Sequence, residues 1–234
     1  DVDVLFQNFH PPSYSQNGSP KEFVPSLSVF DALFNIDLDS RTERPTRQNI
    51  ELLRIGTCGI LQADVPLHSY VLTEYALGLD NVGHFYNVDF SAEEKRLLDR
   101  ILSERIFPEN IRPYLKKASP DLMNKFDGDH CKKGITVTSS GFYGPQGRTL
   151  RLAPSIQDFN DKLARFSYQN ARITNLEMET AGIYGLAKLL GHRAVSLNAI
   201  LANRATGEFS EQGHKTVEEL IKYTLNAIAN SDLI

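Results

Sequence analysis

The sequence predicts one α/β domain, and three observations carry that reading. Short β-favouring runs alternate along the chain with segments of helical periodicity, the texture of strands separated by packed helices. One late run, Ala194–Leu201 (AVSLNAIL), is almost continuously apolar, as a strand buried on both faces is. A length of 234 residues with 41% hydrophobic content supplies one ordinary core and excludes disorder for the bulk of the chain.

The elements follow in order. Residues 1–30 read differently from the rest: FQNFHPPSYSQNGSP is rich in Pro, Ser, Asn and Gly, which favour turns, so loop or partial order is expected there. From about residue 31 the alternation begins. Glu51–Ile55 (ELLRI) reads as a short apolar strand running into a Gly-rich turn, Gly56-Thr57-Cys58-Gly59, and Ser69–Thr73 (SYVLT) as a second strand. Ser91 ahead of Ala92-Glu93-Glu94 is a helix start, because the hydroxyl caps free amides and the acids oppose the dipole. That helix should run to about Ser103. Lys133–Ser139 (KGITVTS) alternates and is β-branched, a strand ending at Gly141, and Pro154–Phe166 is helix-like. Glu177–Leu190 reads as a helix stopped by Gly191, and Lys215–Asn230 carries Val217, Leu220, Ile221, Leu225 and Ile228 at helical spacing.

Charge and cysteine content narrow the function. Twenty-five basic against 29 acidic residues give a net charge of −4, which argues against a dedicated nucleic-acid binder. No apolar run approaches the roughly 18 residues of a membrane span, and the N-terminus lacks the basic-then-apolar stretch of a signal peptide. Cys58 and Cys131 alone make no disulfide scaffold, so a reducing compartment and a cytoplasmic location are expected.

Three polar constellations lie at expected strand ends, where α/β folds gather ligands. In Arg54-Ile55-Gly56-Thr57-Cys58-Gly59 a guanidinium sits inside a strand built for burial, which calls for a facing anion, either a bound phosphate or a core carboxylate. In Ser139–Arg148 (SSGFYGPQGR) an aromatic pair precedes an amide and a guanidinium two residues apart. Such a set can stack a planar ring and bond its edge, or simply turn the chain and cover the core. In Asn175–Ala181 (NLEMETA), Glu177 can answer a helix dipole, while Glu179 on an apolar helix needs a partner, which a pair of sugar hydroxyls would supply. The six His residues show no spacing for a metal cluster.

Taken in series, RIGTCG, FYGPQGR and NLEMETA resemble three motifs of the nucleoside phosphorylase family, in its uridine phosphorylase branch: R-[IV]-G-[ST]-[CST]-G, FY-x-x-Q-x-R and N-x-E-M-E-[ST]-A. Asn203-Arg204 is similar to the branch's N-R at the start of a mobile loop. The resemblance covers roughly residues 31–231. It implies a single-domain nucleoside-phosphorylase-like fold over 1–234, a central mixed sheet flanked by helices, and reversible phosphorolysis of uridine to uracil and ribose 1-phosphate. It implies no cofactor, orthophosphate being a co-substrate, and no metal. The implied partners are a nucleoside, phosphate and further copies of the chain in a dimer or hexamer, with no nucleic acid and no membrane.

Residue by residue, the resemblance implies that Arg54 holds phosphate and that Thr57 bonds phosphate or ribose. Phe142 would pack on the nucleoside, while Gln146 and Arg148 bind the uracil edge and steady the charge that develops as the base leaves. Met178 and Glu179 would hold the ribose with Glu177 close by, and Arg204 would lie near the base. Purine-cleaving relatives place an Asp about where Ala202-Asn203-Arg204 stand, so pyrimidine is the expected base; a broader preference that includes purines is the weaker alternative. The N-terminal third departs from the family pattern. Neither its Gly-Asp-x-x-Arg phosphate loop nor its later Gly-rich loop is found, about two strands and two anion-cradling loops in all. That departure keeps open an impaired or non-catalytic nucleoside-binding homologue.

Overall fold

The computed structural model describes residues 4–6 and 23–231, with side chains over 27–230. In chain order the strands are β1 (Val4–Phe6), β2 (Ile36–Asp37), β3 (Thr42–Glu43), β4 (Glu51–Ile60), β5 (Tyr70–Gly78), β6 (Tyr114–Lys117), β7 (Cys131–Thr138), β8 (Ser167–Tyr168), β9 (Ala171–Glu177), β10 (Arg193–Asn203) and β11 (Glu208–Phe209). The helices are α1 (Phe23–Asn35), α2 (Ala92–Ser103), α3 (Pro120–Lys125), α4 (Phe159–Arg165), α5 (Thr180–Leu190) and α6 (Gly213–Ser231).

The sheet is mixed and runs β1-β4-β10-β5-β7-β9-β8. Pairing of β4 with β10, of β5 with β7 and of β7 with β9 is parallel, whereas β10 meets β5 antiparallel. A further antiparallel pairing, Gly59 opposite Leu176 and Ile60 opposite Asn175, joins β4 to β9 and closes β4, β10, β5, β7 and β9 into a ring. Closure leaves an inside and an outside, and side chains alternate between them along each strand. Outside, α1, α3, α5 and α6 share one hydrophobic cluster with β4, β5 and β10, while α2 and α4 share a second with β5, β7 and β9.

Local chemistry explains the elements. Ser91 Oγ accepts from the Glu94 amide at 3.1 Å and Glu94 Oε2 from the Ser91 amide at 2.7 Å, a complete capping box for α2. Glu94 also accepts from the Lys116 ammonium at 3.0 Å and the Lys117 amide at 2.9 Å, pinning α2 to β6. Gly191, at φ 81°, ends α5 in the left-handed region that glycine tolerates best.

Four expectations change. The irregular stretch foreseen over 1–30 is broken by β1, which pairs in parallel with β4, and by α1 from Phe23; residues 7–22 lie outside the described residues. The Gly-rich turn after Ile55 is instead continuous strand to Ile60, so Arg54 stands in mid-strand and not at its end. The helix foreseen over Pro154–Phe166 shrinks to α4, because the chain turns at Asp158, φ 53°, before the helix starts. Glu177 belongs to the end of β9, and α5 begins only at Thr180.

Candidate functional site

The ring's interior is polar where β4, β9 and β10 meet. Arg54 reaches into it and is only 3% exposed. Its Nη2 lies 2.6 Å from Glu179 Oε2 and 3.2 Å from Glu177 Oε2; its Nη1 donates to Asn198 Oδ1 at 2.6 Å and to Ser196 Oγ at 3.3 Å. Gly56 is what makes room. A Cβ there would lie 2.4 Å from Arg54 Nη1, so the glycine serves clearance for a side chain and not a turn.

Glu177 is fully engaged. Oε2 accepts from the amides of Glu179 and Thr180, each at 2.9 Å, and from Thr180 Oγ1 at 2.8 Å, while Oε1 accepts from Thr138 Oγ1 at 2.5 Å. It thereby satisfies the open amides at the start of α5 and sets the position of Glu179, the residue preceding that helix. Burial works against the charge on Arg54, but Glu177 and Glu179 outweigh it and hold its pKa above the ordinary value. Glu179 is pushed up, by burial first and by Glu177, against the pull of Arg54.

A second cluster gathers around Gln146, which is 2% exposed and lies in a short 3-10 turn, Gly144–Gln146. Its Oε1 accepts from Arg204 Nη2 at 2.5 Å and Arg148 Nη1 at 3.1 Å, and its backbone carbonyl accepts from Arg204 Nη1 at 2.9 Å. Arg148 also donates to the Phe142 carbonyl at 2.7 Å and stacks 3.7 Å over the Phe142 ring, which is half exposed. Neither Arg148 nor Arg204 meets a carboxylate among the described residues. Burial and the neighbouring Arg148 push Arg204 down to about 10, and burial pushes Arg148 down as well.

One strand spaces the two clusters. A Cβ at Gly59 would lie 2.5 Å from Arg204 Nε, so the guanidiniums of Arg54 and Arg204 cross β4 at glycines three residues apart, about 10 Å along the strand. Thr57 and Met178, both half-buried, lie on the same two segments, and no described residue takes the Thr57 hydroxyl. Cys58 also belongs to β4, and burial pushes its thiol up to about 12. Among the described residues no three His, Cys, Asp or Glu side chains gather as a metal site needs. No helix there is long and apolar enough to cross a membrane.

The structure thus brings Arg54, Glu177 and Glu179 into contact, and separately Phe142, Gln146, Arg148 and Arg204. Sequence reasoning passed over Ser196 and Asn198, which complete the shell around Arg54. Their signal was visible, two polar residues two apart in the apolar middle of a strand.

Comparison with known proteins bears on the family and the fold. A uridine phosphorylase of Thermococcus kodakarensis is 26% identical over 184 residues, 77% of this chain and 58% of the relative. A DeoD-type purine nucleoside phosphorylase of Colwellia psychrerythraea is 26% identical over 211 residues, 88% of this chain and 71% of the relative. The chain therefore spans about three fifths of the length of the first and seven tenths of the second. A solved Trypanosoma brucei nucleoside phosphorylase, described as showing uridine phosphorylase activity, has the same fold: TM-score 0.80, 22% identity, 91% of this chain and 77% of that one covered. The profile of the phosphorylase superfamily matches residues 48–229, which hold both clusters, and the chain belongs to that family.

Proposed function

We propose that this chain is the body of a uridine phosphorylase, a pentosyltransferase that transfers ribose from uracil to orthophosphate and back. The observation that carries the reading is the base-end cluster: a buried amide held by two guanidiniums with no described carboxylate beside them. Uracil leaves as an anion, and donors fixed beforehand around Gln146 and Arg148 stabilise charge that appears only in the transition state. A purine ring nitrogen would instead call for a carboxyl to protonate it, and none faces this cluster among the described residues.

Phe142 supplies a stacking face that Arg148 already covers on one side. Glu179, with Met178 beside it, is the residue we assign to the ribose hydroxyls, and Glu177 acts through its hold on α5. Arg54 and Thr57 form the phosphate end. Orthophosphate is already anionic, so the attack needs positioning and no general base. We read residues 1–234 as one catalytic domain that works in the cytoplasm as a homo-oligomer, with phosphate as co-substrate and neither cofactor nor metal.

A second reading has its own observation. Counted at formal charge, Arg54, Glu177 and Glu179 leave one net negative charge at the phosphate end, which repels phosphate unless further cations join it. A nucleoside-binding relative with little turnover fits that charge. Uracil release from uridine by the purified protein, with and without phosphate, separates the two. Phosphate-dependent release that falls by about 100-fold in Arg148→Ala and Glu179→Ala supports the enzyme. Uridine binding without release supports the second reading, and full activity in both variants overturns the site assignment.

A further inference from the structure

Between its polar ends, Arg193 and Asn203, β10 is apolar except at Ser196 and Asn198, and both are fully buried. A buried amide is unfavourable unless it is bonded, so the question is what these two hold. Both face Arg54. The Asn198 carbonyl oxygen must point at the guanidinium, and its Nδ2 then donates to Thr73 Oγ1 at 3.3 Å. Thr73 meets the Thr136 hydroxyl at 2.6 Å, and Thr136 donates to Asn175 Oδ1 at 2.9 Å. One chain of donors therefore crosses the ring's interior: Arg54 to Asn198, to Thr73, to Thr136, to Asn175. Such chains polarise one another and fix each member's direction. Ser196 adds a 3.0 Å contact to Thr180 Oγ1, on the first turn of the helix that follows Glu179.

The guanidinium is a planar fork, so fixing Nη1 fixes the other donors. With Nη1 on Asn198 and Ser196, and Nη2 on Glu179 and Glu177, the Nε–H alone is left, buried and without a partner among the described residues. We propose that Asn198 is a positioning residue: it keeps Arg54 turned so that Nη2 stays on Glu179 and Nε stays free for the incoming phosphate. This rests on the phosphorylase reading of the same site.

The test is a double-mutant cycle on the full chain, combining Asn198→Ala with Arg54→Lys. It is read by calorimetry with inorganic phosphate, by calorimetry with uridine, and by the KM and kcat of uracil release. Asn198→Ala should weaken phosphate about tenfold, in Kd and KM together, because a bond to a charged group is lost. In the Arg54→Lys background the same change should do less than about twofold, since there is no fork left to orient. Equal effects in the two backgrounds would make Asn198 merely structural and overturn the proposal. Should Asn198→Ala fail to fold, Asn198→Ser, which keeps a hydroxyl acceptor, serves in the same cycle with a smaller expected loss. A wild-type protein that binds phosphate without releasing uracil refutes the proposed function, and the cycle in Kd still decides on Asn198. One that binds neither phosphate nor uridine overturns both.

Discussion

Replacing Gly56 with alanine probes the most crowded contact of the site. The new Cβ would stand 2.4 Å from Arg54 Nη1, 2.6 Å from Cζ and 2.7 Å from Nη2. Ordinary contact requires the guanidinium to retreat by about 1 Å. It is held by bonds of 2.6 Å to both Asn198 and Glu179, and a displacement of that size destroys their geometry. Each bond to a charged group contributes about 1.5–3 kcal/mol, and breaking a buried ion pair costs about 3–5 kcal/mol, so Gly56→Ala should destabilise by about 3–5 kcal/mol. The chain has no tryptophan, so urea unfolding is best followed by far-UV circular dichroism. The midpoint should fall with its slope unchanged. Gly144→Ala is the comparison, since nothing lies within 4 Å of its Cβ, and it should stay within about 0.5 kcal/mol of wild type. A Gly56→Ala protein within about 1 kcal/mol of wild type would refute the claim that this glycine exists to clear the guanidinium.

Two further outcomes follow from buried groups. Burial pushes the Glu94 carboxyl up, but the Lys117 and Ser91 amides and the Lys116 ammonium outweigh it and leave it below the ordinary carboxylate value. Between the two values the unfolded chain binds the extra proton, so this cluster's stabilisation is complete above the ordinary carboxylate pKa and lost as pH falls through the folded one. Glu94→Gln should lose about 1–3 kcal/mol at pH 7 and progressively less as pH falls below the ordinary carboxylate value; urea midpoints along that pH series check it, and a loss that does not change with pH refutes it. Cys58 and Cys131 are buried with raised thiol pKa values, Cys58 to about 12. At pH 8 an aromatic disulfide reagent should leave both untouched in the native protein and titrate two thiols after unfolding. Rapid modification of Cys58 in the native state would show that its burial is wrongly described.

The parts of the fold legible in the sequence were those whose cause is local. Ser91 and Glu94 cap each other within one turn of helix, and Gly191 ends α5 through its own backbone freedom; both were foreseen. Gly56 and Gly59 were misread as a turn because their reason is not local. The space they leave is filled by Arg54, two residues away, and by Arg204, far along the chain. The β4–β9 pairing that closes the ring is likewise a long-range event with no signature in either strand. At the site, Arg54 and Glu179 were read as buried charges that need partners, and each is a partner of the other. What stayed hidden was which partners they take. Ser196 and Asn198 sit in a run whose apolar character drew attention away from them.

The two readings of Arg54, phosphate ligand or counter-ion of a core carboxylate, are not exclusive alternatives. A guanidinium has five N–H donors, and here four contacts inside the protein use the two Nη atoms while Nε is left over. Had Arg54 met phosphate alone, the empty site would bury an unpaired cation, and the fold would carry that penalty whenever phosphate was absent. Had it met the carboxylates through every donor, phosphate would find nothing to bond. Partial satisfaction resolves the conflict: Glu177 and Glu179 keep the guanidinium stable in the empty protein, Asn198 keeps its plane from turning, and one donor is held back. Counted at formal charge, the two carboxylates outnumber the one guanidinium at the proposed phosphate end, so Arg54 with both of them ionised does not make it attractive to an anion. With both carboxylates ionised, phosphate affinity draws on cations beyond the Arg54, Glu177 and Glu179 group. That affinity should fall steeply with added salt if those cations are exposed, and only weakly if they are as buried as Arg54.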